Sequence, residues 1–415
     1  MMNDRAALAA QLRYWGAAAF LFALVFSLVG LLLPPALFSD GEFFDSGLRL
    51  LRDEQEMRVY FERGQWLADG GRPYSAASPQ EYPPAGVLFL ALPRLFTSNP
   101  FIYQDIFALL TSILFGLLVW LTGKILISLG RPLKYLWLFF LPGVIYFSVW
   151  RFDILPAVLV AAAAHEVIRG RRVLAALWLI LGGLVKFYPA FFLLPLLMLA
   201  AQSAAGSSSE PGRRRVLVAA AAAPVVLLGG ILIWAGPDAF LSPILFHLGR
   251  TFEIGSLGDI SLWAASFLGG GSVWFAVILA GIFSLLQFIP FIFLLVFGRI
   301  ADAKAFIRAC LFLLLPFMLF NRFVSPQWVV WFIPLAVLVS DKRETVALVL
   351  LGLTAYLQFP ILFGLDPFAW TYKFASGLLL AVIAWLAWQN LIAMKRDGAL
   401  VFAGNRKIPL IQPVG

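Results

Sequence analysis

The chain has 415 residues, of which 62% are hydrophobic and 13% charged, with a mean hydropathy of +0.91 and a formal net charge of +9. Charged residues make up about a quarter of an ordinary soluble domain, so that class is excluded and a polytopic membrane protein is expected. The basic residues cluster in short loops between apolar runs, which is a topology signal and not a nucleic-acid surface, and the single Cys310 excludes an intrachain disulfide.

Arg5 and Arg13 precede an apolar run from Trp15 to Leu37. The run is longer than a signal-peptide core and no small-x-small cleavage site follows, so an uncleaved anchor is expected. A polar segment follows, from Asp40 to Pro84, holding Asp40, Glu42, Asp45, Asp53, Glu54, Glu56, Glu62, Asp69 and Glu81 among the chain's 22 acids. If basic loops are cytoplasmic, this loop (38–84) is extracytoplasmic. The short run Ala85 to Phe96 starts at Tyr82-Pro83-Pro84 and is expected as a re-entrant or interfacial helix (85–97), since a crossing there would place every later basic loop outside.

Ile102 to Ile127 reads as a full span, followed by cytoplasmic Arg131 and Lys134. Short apolar runs then come in pairs. The first pair meets at Trp150-Arg151-Phe152-Asp153 and returns to Arg169-Gly170-Arg171-Arg172. The second meets at Lys186-Phe187-Tyr188-Pro189 and returns, with a Ser/Gly linker at 202–212, to Arg213-Arg214-Arg215. A further span leads to a second external loop (236–272) with His247 and Arg250, and another returns at Arg299, Lys304 and Arg308. A third short pair meets between Asn321 and Gln327 and returns at Lys342 and Arg343; a last pair turns at Asp366-Pro367 and ends at Lys395 and Arg396. The expected architecture is one all-α transmembrane domain (1–395) of about twelve helices, both termini cytoplasmic, with a tail over 396–415.

Helices of about fourteen to sixteen residues rise only about 21 to 24 Å, less than the roughly 30 Å hydrocarbon layer. Their outer ends should form the floor of a recess bearing Arg151, Asp153, Lys186 and Arg322. Ionisable groups at membrane depth cost about 2.5 to 3.5 kcal/mol each on insertion scales and are tolerated where they meet water, a partner or a ligand.

The acidic run has two readings. In the first it is a solvated amphipathic helix stitched by Arg49/Asp53, Arg52/Glu56 and Arg58/Glu62. In the second, Glu54 or Glu56 of the acid-x-acid pair is a general base, a carboxylate with a raised pKa near the recess that takes a proton from an attacking hydroxyl. Arg151 pairs with Asp153 and Lys186 snorkels, or both converge with Arg250 and Arg322 on a phosphate leaving group. His165 beside Glu166 reads as structural, and His247 as a donor to phosphate or sugar. The proline breaks read either as helix starts or as elements of a site, and Trp66, Trp328 and Trp331 either as belt residues or as sugar-stacking platforms.

Six motifs in order resemble the GT-C superfamily of polytopic glycosyltransferases, most closely glycosyltransferase family 87, over residues 50–335. They are Glu54-Gln55-Glu56 with Val59-Tyr60 and Gly70-Gly71-Arg72-Pro73-Tyr74; Tyr82-Pro83-Pro84; Arg151-Phe152-Asp153 with Pro156; Lys186-Phe187-Tyr188-Pro189; His247 with Arg250; and Ser325-Pro326-Gln327-Trp328 with Trp331. In the first motif the family more often carries Asp. The resemblance implies a polyprenyl-phosphate-linked sugar donor, with mannose among the expected sugars, and a lipid or glycan acceptor at the outer face of the plasma membrane. It also implies Glu56 or Glu54 as base, with Tyr82, Arg151, Asp153, Lys186, His247, Arg250, Arg322 and Gln327 around the donor. No metal, cofactor or nucleic-acid partner is implied. About twelve spans with broken helices also describe a secondary transporter or lipid flippase, although no internal repeat is visible.

Overall fold

The computed structural model describes residues 2–32, 51–71, 74, 81–204, 229–267 and 273–401, and among these every regular element is helical. The chain is a membrane protein by the length and apolarity of its helices: among the described residues five are long enough to cross a bilayer, or seven if two bent pairs are each counted as one span. Five more apolar helices have 10–17 residues. The first span is α1 (Met2–Leu32), and the acid-rich segment contributes α2 (Glu54–Ala68). The expected re-entrant run forms α3 (Pro84–Ala91), extended by a 3-10 turn over Leu92–Leu95, and the long span is α4 (Pro100–Ser128), capped by Asn99.

A bent pair follows, a 3-10 segment (Leu133–Phe140) meeting α5 (Pro142–Trp150) at 69°. Then come α6 (Ile154–Ile168), α7 (Arg172–Val185), the single-turn α8 (Tyr188–Phe191) and α9 (Leu193–Ala204). A second bent pair joins α10 (Gly229–Ala235) to α11 (Asp238–Leu248) at 86°, ahead of α12 (Leu257–Phe267) and α13 (Val273–Phe297). The rest are α14 (Ala303–Leu319), α15 (Val329–Val339), α16 (Lys342–Tyr356), α17 (Phe363–Leu365) and α18 (Trp370–Arg396).

Burial ranks the helices. Of the most apolar stretch of α4, 61% is buried, against 17% for α13, so α4 is the central post and α13 lies at the outside of the described bundle. At one end of the bundle, Arg308 of α14 donates to Glu344 Oε1 (2.8 Å), Asn390 Oδ1 (3.2 Å) and the Val339 carbonyl (2.6 Å), tying α14, α15, α16 and α18 together. Asp341 and Glu344 form a capping box at the start of α16, so Glu344 serves helix and ion pair at once.

The expected second external loop (236–272) is not a loop where it is described, because α11 and α12 occupy much of it. Past the end of α18, Ala399 and Leu400 are buried, and Arg299 N donates to the Ala399 carbonyl at 2.8 Å. Asp40, Glu42, Asp45, Arg49, Arg72, Pro73, most of the Ser/Gly linker and Arg213 to Arg215 lie outside the described residues.

Helix α2 is not a freely solvated face. Met57, Tyr60 and Gly64 are buried on its inner side, and a Cβ at Gly64 would stand 2.5 Å from the Leu90 carbonyl oxygen of α3. Only a glycine allows this approach. Gly64→Val is therefore expected to cost about 1–3 kcal/mol by overpacking, read as a lowered unfolding midpoint in detergent. On the opposite face Arg58 and Glu62 form an exposed i,i+4 pair at 2.8 Å, and Arg58→Ala should change stability by no more than about 0.5 kcal/mol. Equal effects of the two changes would mean that α2 is not docked through Gly64.

Candidate functional site

Two cations occupy equivalent places in the chain. Arg151 ends α5 and Lys186 ends α7, each with extended backbone (φ −127°, ψ 140° and φ −148°, ψ 145°). An extended residue cannot continue the helical ladder, and the helix that follows has a proline in its first turn, Pro156 in α6 and Pro189 in α8. Both side chains are buried, so their charges require partners inside the protein.

The partners come from distant parts of the sequence. Arg151 Nη2 donates to Asp53 Oδ2 at 2.5 Å and Nη1 contacts Glu56 Oε2. Asp53 Oδ1 also accepts from the Glu56 amide at 3.2 Å, so one carboxylate caps α2 and ties its start to the α5–α6 break. Lys186 Nζ donates to Asp153 Oδ1 at 2.6 Å, and Trp331 Nε1 of α15 donates to the same oxygen at 2.5 Å. The ammonium also lies 4.6 Å from the Phe152 ring centre, 5.3 Å from Trp331 and 5.8 Å from Tyr82, an aromatic cage for a cation.

Tyr82 links this cluster to α3. Its hydroxyl donates to Glu56 Oε1 at 3.4 Å, and its ring packs edge-on against Phe152 at 4.7 Å. Burial, with the nearby Glu56 and Glu81 charges, pushes the Tyr82 hydroxyl well above its usual range, so it stays a donor. The pKa of Glu56 is not raised as expected of a base: burial favours the neutral acid, but the charge and hydrogen bond of Arg151 outweigh it, helped by Tyr60 and Arg63, and the carboxyl sits below its ordinary 4.5.

A depressed folded-state pKa contributes stability that is fully present above the unfolded value and is lost as pH falls through the folded one. The stability difference between wild type and Glu56→Gln should therefore stay flat from about pH 5 to 8 and shrink only below about 4.5. Thermal melts across pH test this, and a wild type that gains stability over Glu56→Gln as pH falls from 7 to 5 would show a carboxyl titrating high.

The remaining predicted residues continue the same surface. His247 Nε2 donates to the Glu81 carbonyl at 3.1 Å, while its ring stacks on Phe323 at 5.4 Å. That bond places the proton on Nε2 and leaves Nδ1, which has no partner among the described residues, as an acceptor in the neutral ring. Arg250 pairs with Glu253 at 2.9 Å and lies over Phe323 at 4.4 Å. Arg322 Nη1 donates to the carbonyls of Leu248 (2.9 Å) and Arg250 (3.1 Å), and among the described residues no carboxylate lies within 4 Å of it. Gln327 is half-buried at the start of the turn leading into α15.

Several pairings differ from expectation. Arg151 does not pair with Asp153; the Asp153 partner is Lys186, because α6 and α7 pack as a hairpin that returns the end of α7 to the start of α6. Lys186 accordingly does not snorkel outward. Arg52 does not reach Glu56, since it precedes α2; it lies 3.3 Å from Glu54 and donates to Gln104 of α4. Trp331 and Trp328 are not open stacking platforms, because Trp331 is buried between Tyr188 (4.4 Å) and Trp328 (4.9 Å). The His247 ring is held among aromatic side chains, which the charged neighbour Arg250 does not suggest from the sequence. His165 stands beside Glu166 at 3.3 Å, away from this cluster.

Asp53 is the residue that sequence reasoning missed. Its signal is an acid three residues before Glu56 at a helix start, the pattern of an N-cap. Among the described residues no group of three or more His, Cys, Asp or Glu is placed to hold a metal ion. No protein-family model and no curated protein matches the chain.

Proposed function

We propose that the chain is an integral-membrane glycosyltransferase of the GT-C type, moving a sugar from a polyprenyl-phosphate donor to a lipid or glycan acceptor. The observation that carries this reading is the meeting of Glu56, Arg151, Lys186 and Tyr82, from four separate elements, in one buried cluster continuous with His247 and Arg322. A carboxylate on a docked helix beside helix-end cations is what such a transfer needs.

In this reading the acceptor O–H gives its proton to Glu56 as its oxygen bonds to the anomeric carbon of the donor. The anomeric carbon–oxygen bond breaks, and its electron pair leaves with the polyprenyl phosphate. Arg151 and Lys186 are already matched by Asp53, Glu56 and Asp153, so their role is to hold these carboxylates in place and keep Glu56 ionised. Arg322, with donors engaged only by neutral oxygens, is the cation with charge to spare for the phosphate. Mannose is the sugar the motif resemblance favours.

About twelve crossings follow if the five long spans and two bent pairs are joined by the shorter helices α6, α7, α9, α14 and α15, each crossing part of the bilayer, while α3 dips back. Both termini are then cytoplasmic and α2 is outside the plasma membrane. Asp69→Cys and Ser208→Cys should label with an impermeant reagent from opposite faces, since buried Cys310 gives no background; labelling from one face overturns the orientation.

The function is tested by incubating purified protein with polyprenyl-phosphate-mannose and candidate acceptors. Release of polyprenyl phosphate by wild type supports the reading. Substrate flux in liposomes without donor turnover overturns it in favour of a carrier or flippase.

A further inference from the structure

A second candidate site lies at the other end of α1. Gly30 of α1 approaches the Leu51 carbonyl and the Trp150 ring, next to the cluster described above. Arg13 is seventeen residues earlier, about 25 Å away along the helix axis. There α1 and α4 run antiparallel and enclose an open apolar groove of about 500 Å³. Its floor is low because two glycines face bulky neighbours: a Cβ on Gly16 would meet Trp120 Cβ at 3.1 Å, and one on Gly116 would meet Phe20 Cβ at 2.9 Å. The volume falls within the roughly 300–1,000 Å³ of small-molecule sites.

Two cations close one end of this groove. Arg13 lines it, and Lys124, one turn beyond Trp120, lies with Nζ 4.0 Å from the Trp120 ring centre. The indole holds the ammonium beside the groove mouth. Neither cation has a carboxylate within 4 Å among the described residues. The arrangement is an apolar channel on a membrane-facing surface, with unmatched positive charge at one end only.

We infer that this groove binds an anionic glycerophospholipid, its phosphate at Arg13 and Lys124 and one acyl chain along Gly16, Phe20 and Gly116. A zwitterionic lipid fits the apolar part equally well but gains less from the two cations. A second copy of the chain is a poorer occupant, because a two-fold contact through this face would set the same cations against each other.

The inference is independent of sugar transfer. It is tested by titrating the purified full chain in nonionic detergent with phosphatidylglycerol or phosphatidylcholine and counting bound lipids by native mass spectrometry. Wild type should bind phosphatidylglycerol in preference to phosphatidylcholine. Arg13→Gln with Lys124→Gln should weaken phosphatidylglycerol binding about 30-fold, from about 1 kcal/mol per cation, and leave phosphatidylcholine binding unchanged. Ala17→Trp, which fills the groove and keeps both charges, should also weaken phosphatidylglycerol binding. Equal affinity for the two lipids, equal phosphatidylglycerol binding by wild type and the charge variant, or a change of oligomeric state in Ala17→Trp without any change in lipid binding overturns the inference.

Discussion

Glu56→Gln is expected to lower sugar transfer by about 10²–10⁴-fold, the contribution of a positioned general base, while Glu54→Gln stays within a few-fold of wild type. Glutamine has the shape of glutamate and keeps one of the two oxygens that accept from Tyr82 and Arg151, so the substitution removes proton acceptance and one of these contacts with little change in packing. The two acids differ in their surroundings. Glu56 faces Arg151 and Tyr82, whereas Glu54 lies 3.3 Å from Arg52, whose other contact is Gln104 of the central post. Asp53 is closer to Arg151 than Glu54 is, but its two oxygens are engaged by Arg151 and by the start of α2, which makes it a positioning residue. Asp53→Asn should lower both transfer and unfolding midpoint, where Glu56→Gln lowers transfer with a small change in midpoint. Single-turnover assays with polyprenyl-phosphate-mannose, run beside thermal melts, separate the cases. A full loss in Glu54→Gln with an active Glu56→Gln would reassign the base.

The sequence made the cluster's members legible and its wiring illegible, for a physical reason. Proline after an apolar run and a lone cation at its end are local signals, so the breaks at Arg151, Lys186 and Ser325-Pro326 could be placed from spacing alone. Which acid neutralises which cation depends on how helix ends meet across the bundle. Asp153 sits two residues from Arg151, yet the α6 start turns it toward Lys186, thirty-three residues away. Asp53 reaches Arg151 across ninety-eight residues, and nothing local to either residue encodes that distance. The same holds for burial within α2: the charges on its outer face are plain in the sequence, while Gly64 acquires meaning only beside the Leu90 carbonyl. Length also limits the reading. A fifteen-residue apolar run is compatible with a crossing, a half-crossing or a buried core helix, so apolarity alone yields five to seven full-length spans where the basic loops imply more.

Arg151→Met should be the most destabilising single change at the site, costing about 3–5 kcal/mol, because it removes one cation and leaves two carboxylates behind. Asp53 is 1% exposed and has no water to replace the guanidinium, so it must either stay ionised in a poor medium or take up a proton. Methionine fills much of the arginine stem volume, which confines the effect to charge and hydrogen bonding. The loss should then be partly reversed in Arg151→Met with Asp53→Asn, since the neutral amide can still cap α2 from its side-chain oxygen. Glu56, one-fifth exposed at its side chain, is better placed to recover solvation, so Arg151→Met with Glu56→Gln should recover less. Unfolding midpoints in detergent for the two double variants against Arg151→Met measure both couplings. If neither acid substitution restores stability, Arg151 is held by packing against the Phe359 ring and its neighbours, not by charge, and the electrostatic account of the helix break fails.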